Sequence, residues 1–133
     1  MDDCIFCKIV KGEIPCYKVY EDDNFLGFLD IRPLTKGNSL LISKKHYRWV
    51  YGVPNFGDYW EVAKKVALST IKTLGAERVT FLTLGMEVPH AHIRIIPRYK
   101  NDKQSVVPDL DIVEKIKKEE MQKIAGEIKK EII

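Results

Sequence analysis

The sequence predicts an α+β fold: a five-stranded antiparallel sheet with a central helix and a carboxy-terminal helix packed on it. Two observations predict it. Apolar residues recur at three- and four-residue steps in two long segments, and short strand-like runs occupy the positions around them. Together they give the order β, β, β, α, β, β, α. The sequence has no internal repeat, low-complexity tract or Ser/Gly linker, so one domain over residues 1–133 is expected. Its motif-bearing core covers about residues 1–100, and its last helix about residues 111–132.

Residues 17–21 and 24–30 read as strands divided by the acidic turn Asp22-Asp23. Residues 32–37 form a loop, because Pro33 has no ladder donor and Gly37 tolerates a turn conformation. Residues 39–43, Ser-Leu-Leu-Ile-Ser, then read as a buried strand. From Phe56 to Leu74 the period changes. Phe56, Tyr59, Trp60, Ala63, Val66, Ala67, Thr70, Ile71 and Leu74 share one helical face, with Asn55 as N-cap and Gly75 as the stop. Two further strands are expected over residues 78–84 and 90–96. Ile112, Ile116, Met121, Ile124, Ile128 and Ile132 mark the second helix, whose Lys/Glu remainder is a solvated face.

A formal charge of +3 without a basic stripe argues against nucleic acid as a partner. No apolar stretch is long enough to cross a bilayer, so no membrane partner is expected. The start Met1-Asp2-Asp3 is acidic where a secretory signal is basic, which points to the cytoplasm. In that reducing compartment Cys4, Cys7 and Cys16 are thiols unless a metal or a redox cycle claims them. Cys16 stands apart and is read as a small apolar filler.

The chemistry-bearing residues cluster. His90 and His92 are two of three histidines, the other being His46. Strand alternation puts His90, His92 and Arg94 on one face, about 7 Å apart, with Ala91, Ile93 and Ile95 on the other. The second set suits a core, and the first is a polar ridge able to meet an anion. The pair Cys4-x-x-Cys7 with two histidines makes a Cys₂His₂ donor set suited to tetrahedral zinc, although its spacing is not that of a zinc finger. A redox pair is the other reading of C-x-x-C, less attractive without a βαβ setting.

Three blocks resemble the histidine-triad (HIT) family. The first is Cys4-Ile5-Phe6-Cys7-Lys8-Ile9-Val10-Lys11-Gly12-Glu13-Ile14-Pro15. The second is Phe28-Leu29-Asp30-Ile31-Arg32-Pro33, followed by Gly37-Asn38-Ser39-Leu40-Leu41-Ile42-Ser43-Lys44-Lys45-His46. The third is Gly85-Met86-Glu87-Val88-Pro89-His90-Ala91-His92-Ile93-Arg94-Ile95-Ile96-Pro97-Arg98. The resemblance implies a HIT-like fold, a homodimer formed through sheet and long helix, and a purine nucleotide or nucleotidyl compound as ligand. It implies that His92 attacks the α-phosphorus to give a nucleotidyl-histidine, which water or another acceptor resolves. Cys4, Cys7, His46 and His90 are implied as ligands of a structural Zn²⁺. Asp30 would accept the ribose hydroxyls, and Ile5, Phe6, Ile9, Phe28, Ile31, Leu40 and Val88 would line the base pocket.

Four positions depart from the family pattern. Arg94 stands where the third histidine is usual; it cannot shuttle protons but its fork suits phosphate oxygens. Met86 and Glu87 stand where a glutamine and a small hydroxyl residue are common, and Asn38 where a histidine is frequent. Three functions follow. The leading one is hydrolysis of nucleoside phosphoramidates, dinucleoside polyphosphates or related compounds with release of a nucleoside monophosphate. The second is a zinc-stabilised nucleotide-binding module with little turnover, and the third a nucleotidyltransferase.

Overall fold

The computed structural model describes residues 3–133. Met1 and Asp2, on which the charge reading of the amino terminus partly rests, lie outside the described residues. The elements follow in the order α1 (Ile5–Val10), β1 (Lys18–Glu21), β2 (Phe25–Leu29), β3 (Ser39–Ser43), α2 (Phe56–Leu74), β4 (Arg78–Leu82), β5 (His92–Arg98) and α3 (Lys118–Lys130). The five strands form one antiparallel sheet in the order β1-β2-β3-β5-β4, so β5, which carries His92, is flanked on both sides.

Alternation along the strands sorts the side chains onto two faces. Phe25, Leu29, Leu41, Ile93 and Ile95 face α2 and α3 and join Tyr59, Ala63, Val66, Ile124 and Ile128 in the main core. Tyr59 anchors this layer: its ring stacks on Phe25 at 4.8 Å, and its hydroxyl donates to the Leu41 carbonyl at 2.8 Å. The opposite face carries Leu26, Phe28, Leu40 and Ile42, and these pack against Cys4 and Phe6 of the amino-terminal segment. His92 and Arg94 alternate with Ile93 and Ile95 on β5, so they belong to this second face.

The α+β expectation holds, with differences at several boundaries. Helix α1 has no counterpart in the sequence reading, because six residues are too few to display a period. Cys4 starts it by accepting the Cys7 N–H on its thiol at 3.4 Å. The last strand runs from His92 to Arg98, not over residues 90–96. His90 therefore precedes the strand, held by its N–H to the Val88 carbonyl, while the Ala91 N–H reaches the Tyr47 carbonyl. Asn55 occupies the N-cap position of α2 without a side-chain cap, whereas Gly75 ends the helix in the left-handed region at φ 71°.

The second helix begins at Lys118 rather than near Ile112. Residues 104–116 form an irregular strap instead, because Gln104 ties them down with its side-chain amide. Its Nε2 donates to the Ile112 carbonyl at 2.8 Å, and its Oε1 accepts the Asp109 N–H at 2.6 Å. The Glu114 N–H reaches the Pro33 carbonyl at 2.8 Å. Lys44 pairs with Glu21 at 2.8 Å. Among the described residues, no helix is long and apolar enough to cross a membrane.

Candidate active site and metal centre

The C-x-x-C spacing becomes geometry in α1. With Cys4 at the N-cap and Cys7 one turn on, both thiols emerge on the side of the helix that meets the sheet. His90 reaches them from the start of β5: its Nδ1 lies 3.3 Å from Cys4 Sγ and 3.5 Å from Cys7 Sγ. His46, just beyond β3, brings its Nδ1 to 3.2 Å from Cys7 Sγ. All four donor atoms lie within 4.8 Å of one another. Tetrahedral zinc with two sulfurs and two nitrogens places its ligand atoms about 3.3–3.8 Å apart, so the set fits. The His90 Nε2–H donates to the Ser43 carbonyl at 2.6 Å, which leaves the Nδ1 lone pair toward the thiols.

Electrostatics agree with a cation at this point. Burial, followed by the hydrogen bond and charge of Cys4, pushes the Cys7 thiol up to about 11. Burial lowers the His90 pKa, an effect that its bond to Ser43 opposes and that His46 and His92 reinforce. A metal bound by these two thiols and two imidazoles would displace the thiol protons. Cys4, Cys7, His46 and His90 thus form a cluster able to hold a metal ion.

A cavity of about 200 Å³ lies beside the cluster, between α1 and the sheet. It gathers the whole set expected at a nucleotide pocket: Ile5, Phe6, Ile9, Phe28, Asp30, Ile31, Leu40 and Val88, with His92 and Arg94. Phe6 separates cavity from cluster, meeting the rings of His90 at 5.8 Å and His92 at 5.3 Å, both edge to face.

His92 is 2% exposed, and its Nδ1–H donates to the His90 carbonyl at 2.7 Å. In the neutral ring that leaves the lone pair on Nε2. Burial lowers its pKa and Arg94 adds to that, against the opposing effect of the His90 carbonyl, Asp30 and Glu87. The net effect favours the neutral ring over the imidazolium.

Arg94 is buried, not an exposed strand arginine. Its guanidinium lies 3.4 Å from Asp30 and 3.3 Å from Glu87, and its buried Nε has no partner among the described residues. Burial raises the Asp30 pKa, opposed by the Arg32 N–H that it accepts at 2.9 Å and by Arg94.

Sequence reasoning missed several lining residues. Ile14, Pro15 and Cys16 form one wall, so Cys16 borders the cavity instead of standing apart. Leu110 enters from the strap, a position that the helical reading of that segment concealed. Glu87 shows in the sequence only as a departure from the family pattern; its pairing with Arg94 needs the fold to be seen.

Comparisons with known proteins agree with this arrangement. A sequence model of the HIT domain matches residues 11–101. An uncharacterised HIT-like protein of Methanocaldococcus jannaschii is 39% identical over 125 residues, covering 86% of this chain and 96% of that one. The adenosine 5'-monophosphoramidase of Saccharomyces cerevisiae is 32% identical over 133 residues, covering 92% of this chain and 84% of that one. The crystal structure of a zinc-bound histidine triad family protein from Mycobacterium smegmatis matches with a TM-score of 0.80 at 29% identity, covering 98% of this chain and 94% of that one. With the family model spanning all five strands together with His90 and His92, the chain belongs to the HIT domain family.

Proposed function

We propose that this protein hydrolyses nucleotidyl compounds, nucleoside phosphoramidates or dinucleoside polyphosphates among them, through a nucleotidyl-His92 intermediate. The observation that carries the reading is the orientation of His92: Nδ1–H engaged by the His90 carbonyl, Nε2 free, in a cavity that also holds Arg94 and Asp30. Its Nε2 lone pair forms a bond to the α-phosphorus while the bond to the leaving nitrogen or oxygen breaks. The leaving group takes that electron pair and a proton from the solvent-open mouth. The imidazolium character that develops is stabilised by the His90 carbonyl. Water then displaces His92, releasing a nucleoside monophosphate and a proton.

Arg94 steadies the charge on the phosphoryl oxygens, and Asp30 accepts the ribose hydroxyls. The apolar wall from Ile5 to Val88 receives the base. Cys4, Cys7, His46 and His90 would hold a structural zinc ion, which supplies a cross-link between α1, β3 and β5 rather than chemistry on the substrate. The resemblance to an adenosine 5'-monophosphoramidase supports a phosphoramidate as substrate. Release of adenosine monophosphate from an adenosine phosphoramidate, lost in His92→Ala, tests the reading. Binding of adenosine monophosphate without turnover would favour the nucleotide-binding module, and turnover only with an added acceptor the transferase.

A second copy of the chain fits the outer edge of the sheet. Strand β4 is unpaired on one side, and Phe81 on it meets Trp60 of α2 at 5.5 Å, with Phe56 beside Trp60 at 6.3 Å. Phe56 and Phe81 are 43% and 40% exposed, a joined aromatic surface that a homodimer would cover. A mass of twice 15.4 kDa by light scattering is expected. We place the protein in the cytoplasm.

A further inference from the structure

The charges around the cavity are unevenly held. Besides the Cys16 thiol, its ionisable lining consists of Asp30, Arg32, Glu87, His92 and Arg94. Arg94 is the buried cation, 10% exposed, and it is already shared by two carboxylates. Asp30 is 13% exposed and fixed by the Arg32 N–H, so it stays in place. Glu87 is 66% exposed and sits two residues after Gly85, whose φ of 72° marks a turn in the loop. A phosphate that takes the outer nitrogen of Arg94 therefore displaces Glu87, not Asp30.

The displaced carboxylate has only a short way to go. Glu87 also lines the adjoining cavity with Asp3, Cys4, Ile5, His46, Val88 and Pro89, a lining without lysine or arginine among the described residues. Arg32, the other cation of the nucleotide cavity, lies beside Asp30 and is exposed. One phosphate finds a cation on Arg94. A second or third phosphate projecting toward the loop meets Glu87 and then Asp3, while Arg48, the cation fixed on this loop, is already engaged by the Gly85 carbonyl and the Trp49 ring.

Building on the nucleotide-site reading, we propose that Glu87 is a specificity-determining residue, a charge filter that admits a single phosphate with a neutral or cationic leaving group and rejects polyphosphate chains. The filter separates the two substrate classes named above in favour of phosphoramidates. It works by repelling the wrong ligand rather than by gripping the right one.

Calorimetric titration of the zinc-loaded protein with adenosine mono-, di- and triphosphate, without magnesium, tests the filter in the wild type, Glu87→Gln and Glu87→Asp. The wild type is expected to bind the monophosphate about tenfold or more tighter than the triphosphate. Glu87→Gln should narrow that ratio to about threefold or less by gaining triphosphate affinity, and Glu87→Asp, which keeps the charge, should preserve it. Equal affinities in the wild type, or an unchanged ratio in Glu87→Gln, would overturn the filter and leave the nucleotide site standing. A folded wild type that binds none of the three would overturn the nucleotide reading, and the filter with it.

Discussion

The ring of Phe6 meets that of His92 edge to face at 5.3 Å and 85°. Phe6 comes from α1, whose cap Cys4 and first-turn Cys7 belong to the metal cluster. The cluster that anchors α1 therefore also holds the wall against which the His92 ring rests.

Removing the metal should loosen this wall before it unfolds the sheet. Dialysis against a chelator is expected to raise hydrogen exchange at Ile5–Val10 and to leave β2 and β3 protected. It should also remove the linkage stabilisation, about 2.7 kcal/mol where free zinc exceeds its Kd a hundredfold. Exchange mass spectrometry and thermal melts read both effects. Equal exchange in α1 with and without metal would refute the anchoring role.

Truncating Phe6 to Ala should cost about 3–4 kcal/mol, because a side chain 6% exposed is lost from a closed face. Nucleotide affinity should fall with it. Phe6→Leu refills most of the volume, so chemical denaturation should show a loss of about 1.5 kcal/mol or less.

Arg94→Lys keeps a positive charge but loses the planar fork that reaches Asp30 and Glu87 together. Turnover of an adenosine phosphoramidate should drop about 10²-fold in kcat, the scale of losing one preorganised donor to the developing charge. Steady-state kinetics check it, and a change confined to KM would show that Arg94 acts in binding alone.

The strap should matter through Leu110. Its replacement by Ala removes apolar surface from the cavity wall, and nucleotide Kd should rise about tenfold, the effect of roughly 1.5 kcal/mol of lost burial. Gln104→Ala, which unties the strap from Ile112 and Asp109, should give a similar loss by fluorescence titration.

Acid should destabilise the end of β5. Arg98 is 3% exposed and pairs with Asp102 at 3.0 Å. Arg98, then the N–H groups of Tyr99 and Gln104, hold the Asp102 carboxyl below its usual range against the opposing effect of burial. The folded chain thus binds this proton less readily than the unfolded chain does. The stabilisation is complete above the unfolded pKa of about 3.9 and is lost as pH falls through the folded value. Asp102→Ala should cost about 3 kcal/mol at pH 7, since it leaves a buried guanidinium with backbone carbonyls but no carboxylate to balance its charge. The gap to wild type should close toward pH 2 in urea melts.

Much of this was legible in the sequence where a period was long enough to read. Helix α2 shows five turns of apolar spacing and a glycine stop, and its bounds are those expected. The six residues of α1 offer no such pattern; the Cys4 thiol cap that starts it is visible only in three dimensions. Ile112 and Ile116 have helical spacing, yet the amide of Gln104 and the carbonyl of Pro33 draw their segment into a strap. The residues of the cavity could be named because contiguous motifs carry them. Leu110 and the Glu87–Arg94 pair could not, since strap and loop reach the cavity by tertiary packing alone. Cys16 was passed over because a single thiol has no pattern in which to stand.

Intact-protein mass after a brief reaction with adenosine phosphoramidate tests the central claim most directly, with His92→Ala alongside the wild type. The account predicts a wild-type mass increased by one adenylyl group, labile on standing, and no increase in the variant. Release of adenosine monophosphate from wild type without any adduct, or an adduct that persists in well-folded His92→Ala, would contradict covalent catalysis at His92.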